Sequence, residues 1–89
     1  MIRNGNYLLR QVADTWVIVP VGQAAVEFAG MVTLNATGAY IWELLEKEQT
    51  LESLAEALQA YYEVDYDRAY QDARTFVEKL IPVGAILEK

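Results

Sequence analysis

The chain contains no histidine and no cysteine, and these two absences remove much of the usual chemistry of enzymes. Histidine is the commonest acid–base residue and the commonest metal ligand, and cysteine supplies thiolate nucleophiles and zinc ligands. Ser53 is the only serine, and no histidine is present to activate it. Carboxylate pairs such as Glu52 with Glu56 fall on expected polar helix faces, where solvated side chains are the ordinary case. We therefore expect no catalytic residues, no metal and no cofactor.

Basic residues are also scarce, with 7 Lys and Arg against 13 Asp and Glu, which gives a net charge of −6. Binding to duplex DNA depends mainly on cationic contacts to phosphate, so this balance argues against it. No apolar run approaches the roughly 20 residues that span a membrane. The lack of cysteine means that no oxidising compartment is needed. We expect a cytoplasmic protein with neither a membrane nor a nucleic-acid partner.

The first third of the 89-residue chain has the pattern of β-strands. Short apolar runs at residues 7–12 and 15–19 flank Ala13-Asp14, which is a plausible tight turn. A third run, residues 26–34, alternates between apolar and other side chains, as expected for a strand with one buried face. These runs predict a three-stranded antiparallel meander.

The remainder has the pattern of three helices, with Asn35, Thr50 and Asp65 as candidate N-caps. Pro82 and Gly84 are expected to end the third helix. Beyond them, residues 85–88 could form a short strand or pack as an extended cap. The apolar stripes fall at Ile41, Leu44 and Leu45, then Leu51, Leu54, Ala55 and Leu58, and finally Ala69, Ala73, Phe76, Val77 and Leu80.

Strands followed by a separate helix trio predict one α+β domain over residues 1–89, of the winged helix-turn-helix kind. In a simple meander the third strand lies at a sheet edge, and such an edge can accept an extended peptide as an added strand. The alternatives are that the third helix or a second copy of the chain covers the edge.

The third helix could form the opposite wall of a groove beside that edge. Its polar stripe consists of Arg68, Asp72, Thr75 and Lys79. Phe76 at the border of this stripe could form the base of an apolar pocket. An ordinary solvated helix face explains the same pattern. The other flank, with Tyr66, Tyr70 and Arg74, could stack on nucleic-acid bases, but acidic residues on the same helix weigh against that role.

Several motifs, in this order and spacing, resemble the PqqD-like family. The most distinctive is LNATGAYIW at residues 34–42, which joins the third strand to the first helix. Similar segments lie at residues 7–10, 16–20, 50–51, 54–55, 76–80 and 84–87. The loop at residues 21–25 differs from the short acidic turn expected in a quinone-cofactor pathway, so the pathway stays open.

The resemblance implies a winged-helix-like recognition element for ribosomally made, post-translationally modified peptides. Family members bind the leader of a precursor peptide against the third strand and the third helix, and many present it to a separate radical S-adenosylmethionine enzyme. On this chain the resemblance assigns the helix wall to Arg68, Asp72, Thr75, Phe76 and Lys79, and gives the turn at residues 34–38 a structural role. It assigns the strand wall to Glu27, Phe28, Ala29, Gly30, Met31, Val32 and Thr33.

Two other functions fit parts of the sequence. A winged-helix DNA-binding regulator fits the helix trio, although such a protein should concentrate Lys and Arg on its recognition helix. A dimerising module could use the same strand edge. Exchange of N-terminal strands could also make a dimer of a peptide-binding protein, so either a monomer or a strand-swapped dimer is compatible with the sequence.

Overall fold

The structure is a computed structural model that describes residues 1–23, 25 and 31–88 of the chain. Among the described elements, most strands precede the helices and only one short strand follows them, which confirms the α+β class. In this part of the chain, no helix is long and apolar enough to cross a membrane. The strands are β1 (Ile2–Arg3), β2 (Tyr7–Val12), β3 (Thr15–Pro20), β4 (Val32–Leu34) and β5 (Ile86–Leu87), and the helices are α1 (Ala36–Leu44), α2 (Leu51–Tyr62) and α3 (Tyr66–Leu80).

Strands β2, β3 and β4 form the predicted antiparallel meander, in that order. The β2–β3 hairpin closes at the pair Val12–Thr15, so Ala13 and Asp14 make a two-residue loop. Ala13 has a φ of 55°, whereas Asp14 does not have a positive φ. A positive φ at only the first loop position is typical of the type II′ turn, whose twist suits a β-hairpin.

The third predicted strand is shorter in the structure than residues 26–34. The observed strand, β4, starts at Val32, Met31 lies before it, and residues 26–30 fall outside the described residues. Within β4 the predicted alternation is confirmed, since Leu34 is buried and Thr33 is exposed. A period of two identifies the buried face of a strand, but it does not fix the residue at which pairing with the neighbour begins.

Side-chain caps start all three helices, as their sequences predict. The Asn35 side-chain oxygen accepts a hydrogen bond of 2.8 Å from the Gly38 N–H at the start of α1. Thr50 and Ser53 bond each other's backbone N–H groups with their hydroxyls, which forms a capping box at α2. Asp65 caps α3 in the same way as Asn35 caps α1. These bonds satisfy backbone donors that a helix start otherwise leaves unpaired.

The core lies between the sheet and the helices. Trp42 from α1 and Ile18 from β3 are among its fully buried side chains. The predicted helix stripes are buried as expected, except that Leu44 and Leu51 pack against the core while remaining partly exposed. Helices α2 and α3 form the helix-turn-helix unit, and Glu63 between them has a left-handed conformation with φ 56°.

The C-terminal segment forms a strand rather than an extended cap. Strand β5 pairs with β1, so that Ile2 lies opposite Leu87 and Arg3 opposite Ile86. The Asn4 side chain extends this contact by donating to the Gly84 carbonyl over 2.9 Å. Pairing between the two ends of the chain leaves no local pattern in the sequence, so the partner of this strand could not be predicted from it.

Candidate functional site

An open groove of about 360 Å³ separates β4 and the start of α1 from helix α3. Its described lining combines polar rims with an apolar floor. The lining residues are Thr33, Leu34, Asn35, Thr37, Gly38, Ile41, Arg68, Asp72, Thr75, Phe76 and Lys79.

The first wall begins with an edge strand. In the order β2-β3-β4, strand β4 pairs with β3 on one side only, and no other described strand pairs with its outer side. Successive residues of a strand direct their N–H and C=O groups to opposite neighbours, so part of β4 presents unpaired backbone groups. This wall can therefore form main-chain hydrogen bonds with an extended partner.

The wall continues into the first turn of α1. The cap at Asn35 turns the chain from β4 into the helix and brings Thr37 and Gly38 to the groove. Gly38 packs against the ring of Phe76, because a Cβ atom at position 38 would lie 3.1 Å from Phe76 Cε1. The glycine thus allows α1 and α3 to approach closely and sets the depth of the groove.

Helix α3 supplies the second wall and most of the charge. Arg68, Asp72, Thr75 and Lys79 follow helical spacing and all line the groove, while Phe76 beside them is 8% exposed and forms its floor. Arg68 Nε lies 3.4 Å from a carboxylate oxygen of Asp72. Lys79 makes no ion pair with any residue in the described ranges.

Six of the residues predicted for the site come together in this groove. They are Thr33 on the strand wall and Arg68, Asp72, Thr75, Phe76 and Lys79 on the helix wall. Val32 is half-buried in β4 and Met31 is 60% exposed, but neither lines the cavity. Glu27, Phe28, Ala29 and Gly30 lie outside the described residues.

The turn at residues 34–38 contributes more to the groove than its expected structural role. Four residues of this turn line the cavity, and they are Leu34, Asn35, Thr37 and Gly38. Ile41 in the next turn of α1 does so too. Gly38 itself is a weak signal in the sequence, since a glycine inside a helix costs about 1 kcal/mol relative to alanine and can have a packing reason. The position of Phe76 against Gly38 depends on how α1 packs on α3, which no local pattern gives.

The chemistry of the groove suits binding. Its titratable groups are Arg68, Asp72 and Lys79, none of which is buried away from solvent. Over the described residues, no group of three or more histidine, cysteine or carboxylate side chains could hold a metal. The groove offers backbone hydrogen bonds, charges of both signs at its rim and an aromatic floor, which are the features of a peptide-binding cleft.

The other flank of α3, with Tyr66, Tyr70 and Arg74, lies near several carboxylates. The Tyr66 and Tyr70 ring centroids lie 6.0 Å apart, and Arg74 is paired with Glu78 at 3.2 Å. Desolvation raises the pKa of Tyr66, and the nearby carboxylates of Glu52 and Glu56 raise it further. Those carboxylates repel phosphate, so this flank is poorly suited to nucleic acid.

The chain is similar to one known protein family and to a solved structure. A model of the family described as Coenzyme PQQ synthesis protein D (PqqD) matches residues 15–86. The chain belongs to the PqqD family. Among solved structures, "TbiB1 in Complex with the TbiA(beta) Leader Peptide" has a TM-score of 0.76 and 24% sequence identity, over 100% of this chain and 98% of TbiB1. Comparison with curated proteins gives no significant match.

Membership of the PqqD family and the likeness to TbiB1 agree with the architecture predicted from the sequence. The match over residues 15–86 begins at β3, covers β4 and all three helices, and ends in β5. It therefore includes both described walls of the groove. At 24% identity the likeness to TbiB1 establishes a shared fold, and it does not identify contact residues on this chain.

Proposed function

We propose that this PqqD-family protein binds the leader segment of a ribosomally made precursor peptide and presents it to a separate modifying enzyme. The observation that carries the proposal is the groove between the edge strand β4 and helix α3. The proposal is also supported by the fold shared with TbiB1, whose structure was solved with a leader peptide. Six residues expected from the family resemblance line this groove.

The mode of binding we propose is strand addition to β4. A leader in extended conformation would bond the outward N–H and C=O groups near Thr33, and its alternate side chains would enter the groove. Phe76 provides the apolar floor for one of these side chains. The backbone bonds supply affinity for any extended peptide, and the floor and rim supply selectivity.

The charges on α3 favour a leader with an acidic side chain. Lys79 has no carboxylate partner among the described residues, and Arg68 is 72% exposed even though it pairs with Asp72. Exposed charges of this kind contribute more to the rate of encounter and to selectivity than to final affinity. A carboxylate on the leader near Lys79 would complete the charge pattern of this wall.

We further propose that the protein itself is not catalytic and that the modifying enzyme is a radical S-adenosylmethionine enzyme, as the family resemblance implies. The absence of histidine and cysteine supports this division of roles, because these residues most often carry acid–base and nucleophilic chemistry. In this role one domain suffices, as a monomer or as a strand-swapped dimer.

A DNA-binding role is not supported, although α2 and α3 form a helix-turn-helix. Helix α3 carries three acidic and three basic side chains, and both of its arginines are paired with carboxylates on the same helix. A recognition helix needs free cations for phosphate and base contacts. The net charge of −6 adds a general repulsion.

An amide chemical-shift titration of the labelled protein tests the proposal. The ligands are synthetic leader segments of precursor peptides encoded beside its gene, with a DNA duplex as the comparison. We expect leader-induced shifts in β4 and along residues 68–79, and none of comparable size with DNA. Shifts with DNA alone, or leader-induced shifts confined to other elements, would overturn the proposal.

A further inference from the structure

A second cavity, of about 260 Å³, continues the groove beyond the end of β4. It shares Thr37, Arg68 and Asp72 with the groove, so the two cavities meet at the Arg68–Asp72 pair. We call it the corner pocket, because its other described lining residues come from the end of α2 and the turn into α3. These are Leu58, Tyr62 and Val64.

The corner pocket presents apolar surface to solvent. Leu58 at its base is buried in the core, whereas Tyr62 is 37% exposed and Val64 is 36% exposed. Exposed apolar groups gathered in a concave site are typical of positions at which a partner places a side chain.

The aromatic residues around Tyr62 hold it in place. The Tyr62 ring meets the Tyr61 ring edge-on at 4.8 Å and the Tyr40 ring edge-on at 6.0 Å, while Tyr40 and Tyr61 stack at 4.3 Å. Stacked and edge-on arrangements of aromatic rings are favourable, so the Tyr62 ring that lines the pocket is packed against two neighbouring rings. Glu63 ends α2 in a left-handed conformation with φ 56°, and Val64 directly after it also lines the pocket.

The boundary between the two cavities is suited to a peptide backbone. The Arg68 guanidinium can donate to a peptide carbonyl, and the Asp72 carboxylate can accept from a peptide N–H. Their charges offset each other, with 3.4 Å between them, so the crossing demands no net charge from the ligand. A main chain that leaves the edge of β4 can therefore cross this pair at little electrostatic cost.

We propose that the bound peptide continues past β4 across the Arg68–Asp72 pair and anchors one large apolar side chain in the corner pocket. This inference rests on the proposed peptide-binding function and adds a second selectivity position to it. The ligand class is an extended peptide with an aliphatic or aromatic residue beyond its strand-forming segment. Val64 and Tyr62 are the residues that select this anchor.

A displayed library of random peptides, long enough to span both cavities, tests the inference and requires no identified precursor. Selection on the wild-type protein should enrich sequences with an apolar anchor outside the strand-forming segment. Selection on Val64→Asp should lose this anchor and keep the rest of the pattern. Val12→Asp is the matched control, because Val12 is an exposed valine of β2 that lines neither cavity.

The best wild-type peptide then allows a double-mutant cycle. Val64→Asp and replacement of the anchor by alanine should each weaken binding by about tenfold or more, since each removes the burial of an apolar side chain. Together they should cost no more than either alone, because both delete the same contact. Val64→Thr keeps the shape of the side chain and should give a smaller loss, which guards against a folding defect in Val64→Asp.

The possible failures are distinguishable. If no peptide is enriched on the wild-type protein, the proposed function fails together with the inference. If Val64→Asp retains the wild-type pattern and affinity while Thr33→Pro or Val32→Pro in β4 lowers affinity, the strand cleft stands and the corner pocket is overturned. Strictly additive losses in the cycle would likewise show that the anchor binds elsewhere.

Discussion

Gly38 in α1 and Phe76 in α3 are in such close contact that a Cβ atom on Gly38 would lie 3.1 Å from one ring atom of Phe76 and 3.3 Å from another. The same Cβ would lie 3.3 Å from the Asn35 side-chain oxygen that caps the helix. One glycine therefore touches both the floor of the groove and the hydrogen bond that begins its α1 wall. The contact connects the packing of the core to the shape of the binding site.

Gly38→Ala should alter binding more than stability. Alanine is favoured over glycine in a helix by about 1 kcal/mol, and displacement of the Phe76 ring offsets this gain. We expect a net change in unfolding free energy below about 1 kcal/mol in urea. Phe76 lines the groove, so we expect a displaced ring to change the shape of the groove and peptide affinity to fall.

Gly5→Ala is the control for this variant, since a Cβ on Gly5 meets no atom within 4 Å. It should leave both peptide affinity and urea stability close to those of the wild type. Unchanged affinity in Gly38→Ala would contradict the view that the Gly38–Phe76 contact sets the depth of the groove.

Proline at Val32 and proline at Thr33 should affect different properties, one mainly stability and the other mainly peptide binding. The reason is that neighbouring residues of a strand direct their N–H groups to opposite sides. One proline removes a donor to β3 and should lower stability. The other removes a donor at the free edge and should weaken peptide binding while changing stability less. Thermal unfolding and peptide titration of both variants measure the two effects, and equal affinity losses in both would speak against strand addition.

Charge reversal at Arg68 should slow peptide association, whereas the same change at Arg74 should not. Both arginines are exposed on α3 and pair with a carboxylate four residues later, at 3.4 Å for Arg68 and 3.2 Å for Arg74. Each pair contributes only a few tenths of a kcal/mol to stability, so Arg68→Glu and Arg74→Glu should be similarly stable. Only Arg68 lines the groove.

Stopped-flow association with an acidic leader peptide at several salt concentrations measures this difference. We expect the rate for Arg68→Glu to be reduced at low salt and to approach the wild-type rate as salt is added, because exposed charges are screened. An equal reduction in both variants would mean that overall charge, and not the groove, governs association.

Ala13→Gly should stabilise the protein by at most about 1 kcal/mol, because a positive φ strains alanine but not glycine, and the greater freedom of glycine in the unfolded chain offsets part of the gain. Ala13 is exposed at the hairpin loop with φ 55°. Asp14→Gly is the control, since Asp14 does not have a positive φ and should gain nothing. Urea unfolding of both variants gives the comparison, and a loss of stability in Ala13→Gly would contradict the assigned turn.

Local signals were sufficient to predict much of this fold. The caps at Asn35, Thr50 and Asp65 depend on residues within three positions, and each helix begins where its cap predicts. The buried face of β4 follows from simple alternation. The start of β4 at Val32 depends on pairing with β3, and that tertiary property could not be obtained from the residues of one strand.

The lining of the candidate groove was predictable on the α3 side and only partly so on the other side. Helical spacing alone places Arg68, Asp72 and Lys79 on one face, and all three line the groove. Thr37 and Gly38 reach the groove because α1 packs against α3, which joins segments far apart in the sequence. Resemblance to the family predicted a groove between the third strand and the third helix, but not the contribution of the start of α1 to its lining.

Strands β1 and β5 lie side by side, with Ile2 opposite Leu87. The first and last strands of the domain are therefore neighbours, and the chain enters and leaves the domain at adjacent positions on its surface. A host protein could carry this domain within one of its own surface loops, with two short connecting segments and no need to span the fold. The same proximity makes the domain a practical module for engineering, because grafting it into a modifying enzyme would tether the peptide-binding groove to the catalyst without opening the sheet or the helix trio.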